Sequence, residues 1–418
     1  MKKALSILLA MGMTVGMVAG CGDTADNSSA ADNSAAASTE AGTDGTQAAA
    51  SAADIKVGVI YIGDENEGYT AAHMAGIDEM AANLGLSDDQ IIEKTTIPED
   101  ESCYDAAVDL ADQGCNIIFA TSFGHETYIL QAAQEYPDIQ FCHATGYQAA
   151  SSGLSNMHNY FDAIYEARYV SGVVAGMKLN EMIENGDITA DQAKIGYVGA
   201  FPYAEVISGF TSFYLGAKSV CESVTMEVQY TNSWADMTAE GEVANQLIAD
   251  NCVLISQHAD TTGAPSACET AGVPCVGYNV DMTSVAPDAA LTSPTNNWGV
   301  YYTYAVQCVL DGKAIDTDWC KGFSEDAVRI TPVNEAVAAE GTDAKVEEVE
   351  AALKDGSLHV FDTSTFTVSG SSLEDLIAEG GDYAKYADYV SDGYYHESEL
   401  ASAPSFDIII DGITSQAN

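Results

Sequence analysis

Positive charge is scarce in this chain. Its 418 residues include 14 Lys and Arg against 63 Asp and Glu, which gives a formal net charge of −49. A field of that sign repels the phosphates of nucleic acids and of anionic membrane surfaces, so we expect neither as a partner. Apolar residues nevertheless make up 47% of the sequence, which excludes disorder throughout. The length predicts two or three domains, and we take two lobes as the working count.

The sequence also lacks the short motifs of common catalytic and metal sites. It contains no Gly-x-x-x-x-Gly-Lys-Ser/Thr, no Gly-x-Gly-x-x-Gly after the first strand pattern, no nucleophile elbow, no His-Glu-x-x-His and no calcium loop. His258 and Asp260 alternate on one segment and could ligate a metal, but a hydrogen-bonding pair at a pocket rim is the simpler interpretation. We therefore expect a binding protein without cofactor or metal, and not an enzyme.

The N-terminus has the pattern of a processing signal. Lys2 and Lys3 precede the apolar run 4–18 and then Ala19-Gly20-Cys21, which resembles a bacterial lipobox. An ordinary signal peptide or an uncleaved anchor remains the alternative, although the run is short for a membrane span of ~20 residues. We expect residues 1–20 to be removed and Cys21 to be lipidated, which would hold the mature protein at the outer face of the cytoplasmic membrane.

Two further features concern the tether and the thiols. Residues 21–53 are rich in Ala, Ser, Thr, Gly, Asn and Asp, a composition that predicts a flexible, acidic tether. Without Cys21, nine cysteines remain, an odd number, and no two are spaced as Cys-x-x-Cys. Most of them lie in apolar stretches, so we expect buried thiols that act as small hydrophobic side chains.

Strand patterns and helical patterns alternate through the remaining chain. The strand patterns cover 56–62, 116–121, 140–142, 194–198, 253–255 and 276–278. The helical patterns cover 70–84, 126–135, 204–219 and 264–271. Strands that are almost continuously apolar and alternate with helices indicate parallel sheets covered on both faces. Two sets of such units, divided near 157–162, predict two doubly wound α/β lobes.

Ligands of doubly wound sheets bind where the strand-to-helix loops converge, beyond the carboxyl ends of the strands. Aromatic and acidic residues recur in the corresponding loops of this sequence. A single aromatic side chain there is more often part of the core, but the repetition favours a planar, uncharged ligand that stacks on rings and donates to carboxylates. The candidate ligand-binding residues are Glu67, Tyr69, Phe123, Phe201, Trp234, Asp260, Asn279, Asp281 and Trp298.

Several motifs in conserved order resemble those of one known family. They occupy 120–124, 143–147, 161–172, 196–206, 257–260, 277–282, 291–293 and 297–299. Together they are similar to the basic membrane protein family, which comprises lipoprotein receptors of bacterial importers, and most of all to its Med-like branch. The similarity covers about 56–361. Within it, Tyr69 takes the position of a loop aromatic that is commonly Trp, Glu67 lies where Asp is usual, and this loop is one residue shorter.

The resemblance implies a type I periplasmic-binding-protein fold, with two α/β lobes joined by a three-segment hinge. By that analogy, the chain comprises a signal peptide at 1–20, a tether at 21–53, lobe 1 at 54–159 plus 281–319, lobe 2 at 160–280 plus 320–361, and a C-terminal extension at 362–418. The tyrosine-rich extension is expected to pack across the lobes, and a separate carbohydrate-binding patch is the alternative.

The resemblance also implies a function. The expected role is that of a monomeric, extracytoplasmic receptor of an ABC importer, which closes on a purine nucleoside or nucleobase and delivers it to the permease. Phe123, Phe201 or Tyr69 would sandwich the ring, and Asp260 or Asp281 would accept hydrogen bonds from it. Receptors of the same fold for a sugar, an autoinducer or another small solute are the main alternative, and an extracellular nucleosidase is the third.

Overall fold

The computed structural model describes residues 51–416. The predicted signal peptide, Cys21 and all but the last three residues of the predicted tether lie outside the described residues. Within them the strands are β1 (Val57–Ile60), β2 (Ile91–Lys94), β3 (Ile117–Ala120), β4 (Gln140–Ala144), β5 (Met157–Tyr160), β6 (Lys194–Gly199), β7 (Thr225–Tyr230), β8 (Leu254–His258), β9 (Cys275–Val276), β10 (Pro294–Asn296), β11 (Asp318–Trp319), β12 (Val328–Ile330), β13 (Val390–Ser391), β14 (Tyr394–Tyr395) and β15 (Ile413–Gln416).

Helices follow most of the strands. They are α1 (Gly68–Leu84), α2 (Glu101–Asp112), α3 (Glu126–Glu135), α4 (Ala149–Ser152), α5 (Ile164–Asn185), α6 (Ala204–Val220), α7 (Met237–Ala249), α8 (Gly263–Ala271), α9 (Gly299–Asp311), α10 (Thr342–Lys354) and α11 (Leu373–Glu379). Between residues 51 and 416, no helix combines the length and the apolar character needed to cross a membrane.

The strands form two parallel sheets. The first has the order β11-β5-β4-β3-β1-β2 and the second the order β15-β7-β6-β8-β9. The neighbouring strands of both sheets are parallel. The chain therefore passes between the sheets three times, after β5, between β9 and β11, and after β11. This arrangement confirms the predicted α/β fold class.

Burial explains why the central strands were visible in the sequence. Strands β1, β3, β4 and β8 are buried along their whole length, so almost every position in them is apolar or internally bonded. Strand β5 is equally buried, but two of its four residues are polar and the sequence patterns did not include it. Strand β2 lies at an edge and is only partly buried, and its sequence Ile-Ile-Glu-Lys lacks a continuous apolar pattern. Parallel sheets covered on both faces are expected to show this contrast between centre and edge.

The longest helix of the described chain packs on α6 through glycines. A methyl group added to Gly172 of α5 would lie 2.0 Å from the carbonyl oxygen of Phe213, and one added to Gly216 of α6 would lie 2.0 Å from that of Tyr169. These distances leave no room for a side chain, so the two backbones touch directly. The motif 161–172, which carried part of the family resemblance, thus contains the start of α5 and a glycine needed for this contact.

The predicted C-terminal extension contributes to the second sheet. Strand β15 pairs in parallel with β7, with Ile413 opposite Met226. Upstream, β13 and β14 form an antiparallel pair, and Phe361, Tyr395 and Phe406 bring their rings together. The segment is therefore integrated into the folded body.

The thiols behave as expected from the sequence. Among the described residues, the nine cysteines are free; eight are buried and Cys320 is partly buried. Burial raises the pKa of the Cys142 thiol to about 12 and that of Cys115 to about 11. Such thiols are poor nucleophiles, in accord with a role as small hydrophobic side chains.

The glycine contact between α5 and α6 can be tested. Gly216→Ala should lower the free energy of unfolding by about 1–3 kcal/mol, because the added methyl group meets backbone that cannot rotate away. Gly241→Ala on α7 is the matched control, since its nearest neighbour would lie 3.5 Å away, and it should be neutral or stabilising. Urea unfolding of the two variants measures the difference; equal stabilities would contradict the close approach.

Candidate ligand-binding site

A cavity, here called the inner cavity, lies where the loops after the strands of both sheets meet. It encloses about 740 Å³ of empty space, its mouth included. The loops after β1, β2, β3 and β4 contribute one side, and the loops after β6, β7, β8 and β9 contribute the other. The lining residues are Ile62, Gly63, Glu67, Tyr69, Glu99, Thr121, Ser122, Phe123, Thr145, Glu205, Trp234, Ala235, Asp260 and Tyr278.

Glu67 caps the first turn of α1. Its Oε1 accepts from the amide of Tyr69 at 2.7 Å, and its Oε2 accepts from the amide of Thr70 at 2.9 Å. The positive end of the helix favours a carboxylate there. Burial nevertheless raises the pKa of Glu67, although the bonds from Thr70 and Tyr69 oppose that rise. The helix thus fixes this carboxyl group at the cavity wall.

Asp260 follows β8 and is 7% exposed. Its Oδ1 accepts from Nδ2 of Asn279 at 2.8 Å, and its amide donates to the carbonyl of Trp234 at 2.8 Å. Burial raises the pKa of Asp260 well above its usual range, and the nearby Glu67 carboxyl adds to the effect. Burial therefore disfavours the charged form of this carboxyl group. Asn279 lies behind it and orients it.

Tyr69 reaches into the cavity from α1, and Trp298 supports it from behind. The Tyr69 hydroxyl donates to the carbonyl of Thr121 at 2.6 Å, while its ring meets Trp298 edge-on at 6.1 Å between centroids. Trp298 is 1% exposed and stacks on His73 at 4.1 Å. Trp298 does not line the cavity. It therefore holds a lining ring in position.

Three further aromatic residues of the predicted set lie at the cavity wall or directly behind it. Phe123 lines the cavity from the first sheet and is 44% exposed, and Trp234 lines it from the second. Phe201 does not line it; its ring packs against Trp234 at 5.5 Å and stacks on Tyr203 at 5.0 Å. Phe201 therefore supports the rings of Trp234 and Tyr203 from behind.

A buried cation lies behind the wall formed by the second sheet. The Arg168 guanidinium sits 4.0 Å from the centre of the Tyr278 ring and donates to the Tyr197 hydroxyl at 2.7 Å. Glu205 lines the cavity next to this group, with His258 Nε2 3.4 Å from its carboxylate. Burial raises the pKa of Glu205 to about 7, and Arg168 opposes the rise.

The structure brings five of the nine predicted residues to the cavity wall, namely Glu67, Tyr69, Phe123, Trp234 and Asp260. Phe201, Asn279 and Trp298 form a supporting layer behind them. Asp281 lies apart from both groups: it is exposed, and its Oδ1 accepts from the amide of Thr283 at 2.8 Å to cap a short turn.

Sequence reasoning missed Glu99, Glu205 and Tyr278. Glu205 comes after the predicted strand 194–198, so the rule of the strand-to-helix loop would have found it. Tyr278 was placed inside the strand pattern 276–278, whereas β9 ends at Val276 and leaves Tyr278 in the loop. Glu99 follows β2, which had no clear pattern, and its carboxylate accepts from the Ser122 hydroxyl at 2.6 Å. Across residues 51–416, no three His, Cys, Asp or Glu side chains are grouped so that they could hold a metal ion.

Comparison with known proteins gives concordant results. Residues 55–358 match the family model described as ABC transporter substrate-binding protein PnrA-like. The chain is 33% identical over 318 residues to a purine-binding protein of Brucella abortus, which covers 75% of this chain and 85% of that protein. A Haloferax volcanii protein, provisionally named an ABC transporter glucose-binding protein, is 36% identical over 197 residues, 47% of this chain and 46% of that protein.

A solved structure supports the fold independently of sequence. The solute-binding protein of an ABC transporter system from Conexibacter woesei superposes with a TM-score of 0.59 at 19% identity. The alignment covers 73% of this chain and 98% of that protein. At this level of identity the likeness concerns the fold alone, which is the two-lobed α/β architecture of solute-binding proteins.

The raised pKa of Glu205 predicts that the protein loses stability as the pH rises. Between pH 5 and 8 the folded protein must ionise a carboxyl group that the unfolded chain ionises more easily, so this group lowers the free energy of unfolding as the pH rises. Glu205→Gln removes the effect. A pKa shift of one unit corresponds to about 1.4 kcal/mol, and the Glu205 side chain is 17% exposed. We therefore expect the free energy of unfolding of the variant, relative to wild type, to rise by about 1–3 kcal/mol between pH 5 and pH 8.

Urea unfolding at pH 5 and pH 8 measures this gain. Glu242→Gln, on the exposed side of α7, controls for the loss of one negative charge from an acidic protein. If the two variants change the free energy of unfolding equally at both pH values, burial does not disfavour the ionised form of Glu205.

Proposed function

Since the chain belongs to the family of PnrA-like ABC transporter substrate-binding proteins, we propose that it binds a purine nucleoside or a free purine base in the inner cavity. The observation that carries this proposal is the composition of the cavity wall. Among the described residues, four aromatic side chains and four carboxyl groups line it, and no Lys, Arg or His does.

A purine suits this wall for two reasons. Its flat faces can stack on rings, with about 1–3 kcal/mol per stacked base. Its ring N–H and amino groups, or the ribose hydroxyls of a nucleoside, can donate to carboxyl groups. Phe123 follows β3 and Trp234 follows β7, so the ring faces come from both sheets. A ligand that contacts both sides binds the closed arrangement more tightly than an open one, which favours closure. The Brucella abortus relative, named a purine-binding protein, supports the same ligand class.

The transport role follows from the family. A substrate-binding protein of an ABC importer works outside the cytoplasmic membrane and presents its ligand to a permease. We propose that this chain does so as a monomer that is held to the membrane by acyl chains on Cys21. We also propose that lobe 1 comprises 54–159 plus 281–319 and lobe 2 comprises 160–280 plus 320–361. Strands β1–β4 and β11 of the first sheet fall in the proposed lobe 1 and β6–β9 of the second sheet fall in lobe 2, whereas β15 of the second sheet belongs to the C-terminal extension.

A sugar is the second candidate ligand. The provisional glucose-binding name of the Haloferax volcanii relative favours it, and aromatic faces with carboxylate acceptors also suit a pyranose ring. Purines and sugars differ in how much they depend on stacking. A purine can be sandwiched between two rings, so its affinity should fall sharply when one ring is removed. Isothermal titration with a purine panel and a sugar panel distinguishes them directly.

Removing the exposed ring at the mouth should weaken purine binding. We expect adenosine, guanosine or adenine to bind the wild type with micromolar affinity or better, and Phe123→Ala to weaken binding about 5- to 100-fold through the lost stacking. Ile409→Ala removes another exposed apolar side chain, one that does not line the inner cavity, and should leave the affinity unchanged. Binding of sugars alone, or an unaltered purine affinity in Phe123→Ala, would contradict the proposal.

The acidic wall should also reject phosphate. Within the described part of the chain no cationic side chain reaches the inner cavity, so a nucleotide would place its negative charge near four carboxyl groups. We expect AMP or GMP to bind at least about 100-fold more weakly than the matching nucleoside in the same titration. Comparable affinities at neutral pH would mean that the ligand's phosphate avoids this wall, and would count against the assigned cavity.

A further inference from the structure

A second cavity, here called the outer cavity, opens beside the inner one. It holds about 1010 Å³ of empty space, its mouth included, and shares Phe123, Thr145, Glu205 and Trp234 with the inner cavity. Because four residues belong to both walls, the two cavities are adjacent. The remaining lining residues are Tyr147, Tyr203, Ala204, Tyr389, Ala401, Ala403, Pro404 and Ser405.

The aromatic side chains of the outer cavity are unusually exposed. Seven large apolar side chains of the described chain are exposed, and the three aromatic ones, Phe123, Tyr147 and Tyr203, all line this cavity. The Phe123 ring lies 6.3 Å from that of Tyr147 and 6.4 Å from that of Tyr203, with planes inclined by about 30° in both pairs. Exposed apolar clusters of this kind mark binding surfaces.

The C-terminal extension supplies the other wall, and hydrogen bonds fix it there. The amide of Ser402 donates to Asp318 at 2.6 Å, next to the edge strand β11 of the first sheet. The buried carboxylate of Glu397 accepts from the amide and hydroxyl of Ser405 at 3.0 and 2.7 Å and from the amide of Phe406 at 3.0 Å. The family match ends at residue 358, so this wall lies beyond the part of the chain that the family accounts for.

The chemistry of the wall selects the occupant. Its surface is formed by three tyrosines, Phe123, Trp234, Pro404 and small residues. Glu205 is its one acidic residue, and no Lys, Arg or His of residues 51–416 lines it. We propose that the outer cavity is a second subsite that binds an uncharged aromatic substituent of the ligand, so that the preferred ligand is a substituted purine or nucleoside larger than the free base. This inference rests on the proposed purine site in the inner cavity.

Titration of adenosine and two benzyl derivatives tests the subsite. The derivatives are N6-benzyladenosine and 5′-O-benzyladenosine, which carry the benzyl group at opposite ends of the nucleoside, so that the pair tests either orientation of the ligand. In the wild type, the better derivative should bind about tenfold more tightly than adenosine. Tyr389→Ala should bring this ratio close to one, and Ala403→Trp, which fills the cavity from the same wall, should bring it below one. Tyr383→Ala changes a tyrosine of the extension that lines neither cavity and should preserve the ratio.

The outcomes separate the two proposals. Adenosine binding without any gain from either benzyl group, or a gain that persists in both Tyr389→Ala and Ala403→Trp, overturns the subsite and leaves the purine site intact. If no purine binds, the proposed function fails, and the subsite is then tested with indole by saturation-transfer NMR. An indole signal lost in Tyr389→Ala and retained in Tyr383→Ala supports the subsite, whereas equal signals in both variants overturn it.

Discussion

The ligand site depends on the close approach of α1 to the loop after β8. The amide of Gly68, in the first turn of α1, donates to the carbonyl of Asp260 at 3.2 Å, and a methyl group on Gly68 would lie 3.0 Å from that oxygen. This contact joins a helix of the first sheet to a loop of the second. It brings Glu67 and Asp260 close to each other although nearly two hundred residues separate them. This hydrogen bond between two backbone groups therefore brings the acidic residues of the two loops together at one end of the cavity.

The same contact sets the electrostatics of the cavity. Burial raises the pKa of Glu67, Asp260 and Glu205, and the proximity of Glu67 and Asp260 raises that of Asp260 further. The buried Arg168 is separated from the cavity by Tyr278, so it partly neutralises Glu205 without presenting a donor to the ligand. A wall of desolvated carboxyl groups is most stable when a ligand offers hydrogen-bond donors without negative charge. Uncharged heterocycles with N–H groups meet this condition, and phosphorylated ones do not.

The sequence predicted the parts of the fold whose physical signal is local. Buried strands such as β1 and β3 carry no polar side chain, and α3 was placed at its observed bounds, Glu126–Glu135. The edge strands β2 and β15 escaped detection, because half-exposed strands can be polar. The interior strands β5 and β7 also escaped detection, because polar residues interrupt their apolar pattern. The rule that ligands lie at loops after strands pointed to five residues that line the inner cavity. It could not tell lining residues from supporting ones such as Phe201, or from exposed ones such as Asp281, because side-chain direction in a loop depends on tertiary contacts.

The C-terminal extension shows how a family fold can gain a new binding surface without altering its centre. Strand β15 pairs with β7 in the second sheet, while the amide of Ser402 is bonded to Asp318 beside the first sheet. The segment between these two attachments must therefore span both sheets, and the outer cavity lies along this span. Any motion that separates the sheets would strain a segment anchored at both ends. The extension is thus tied to both sheets at the place where it forms a wall of the outer cavity, which couples that wall to the relative position of the sheets.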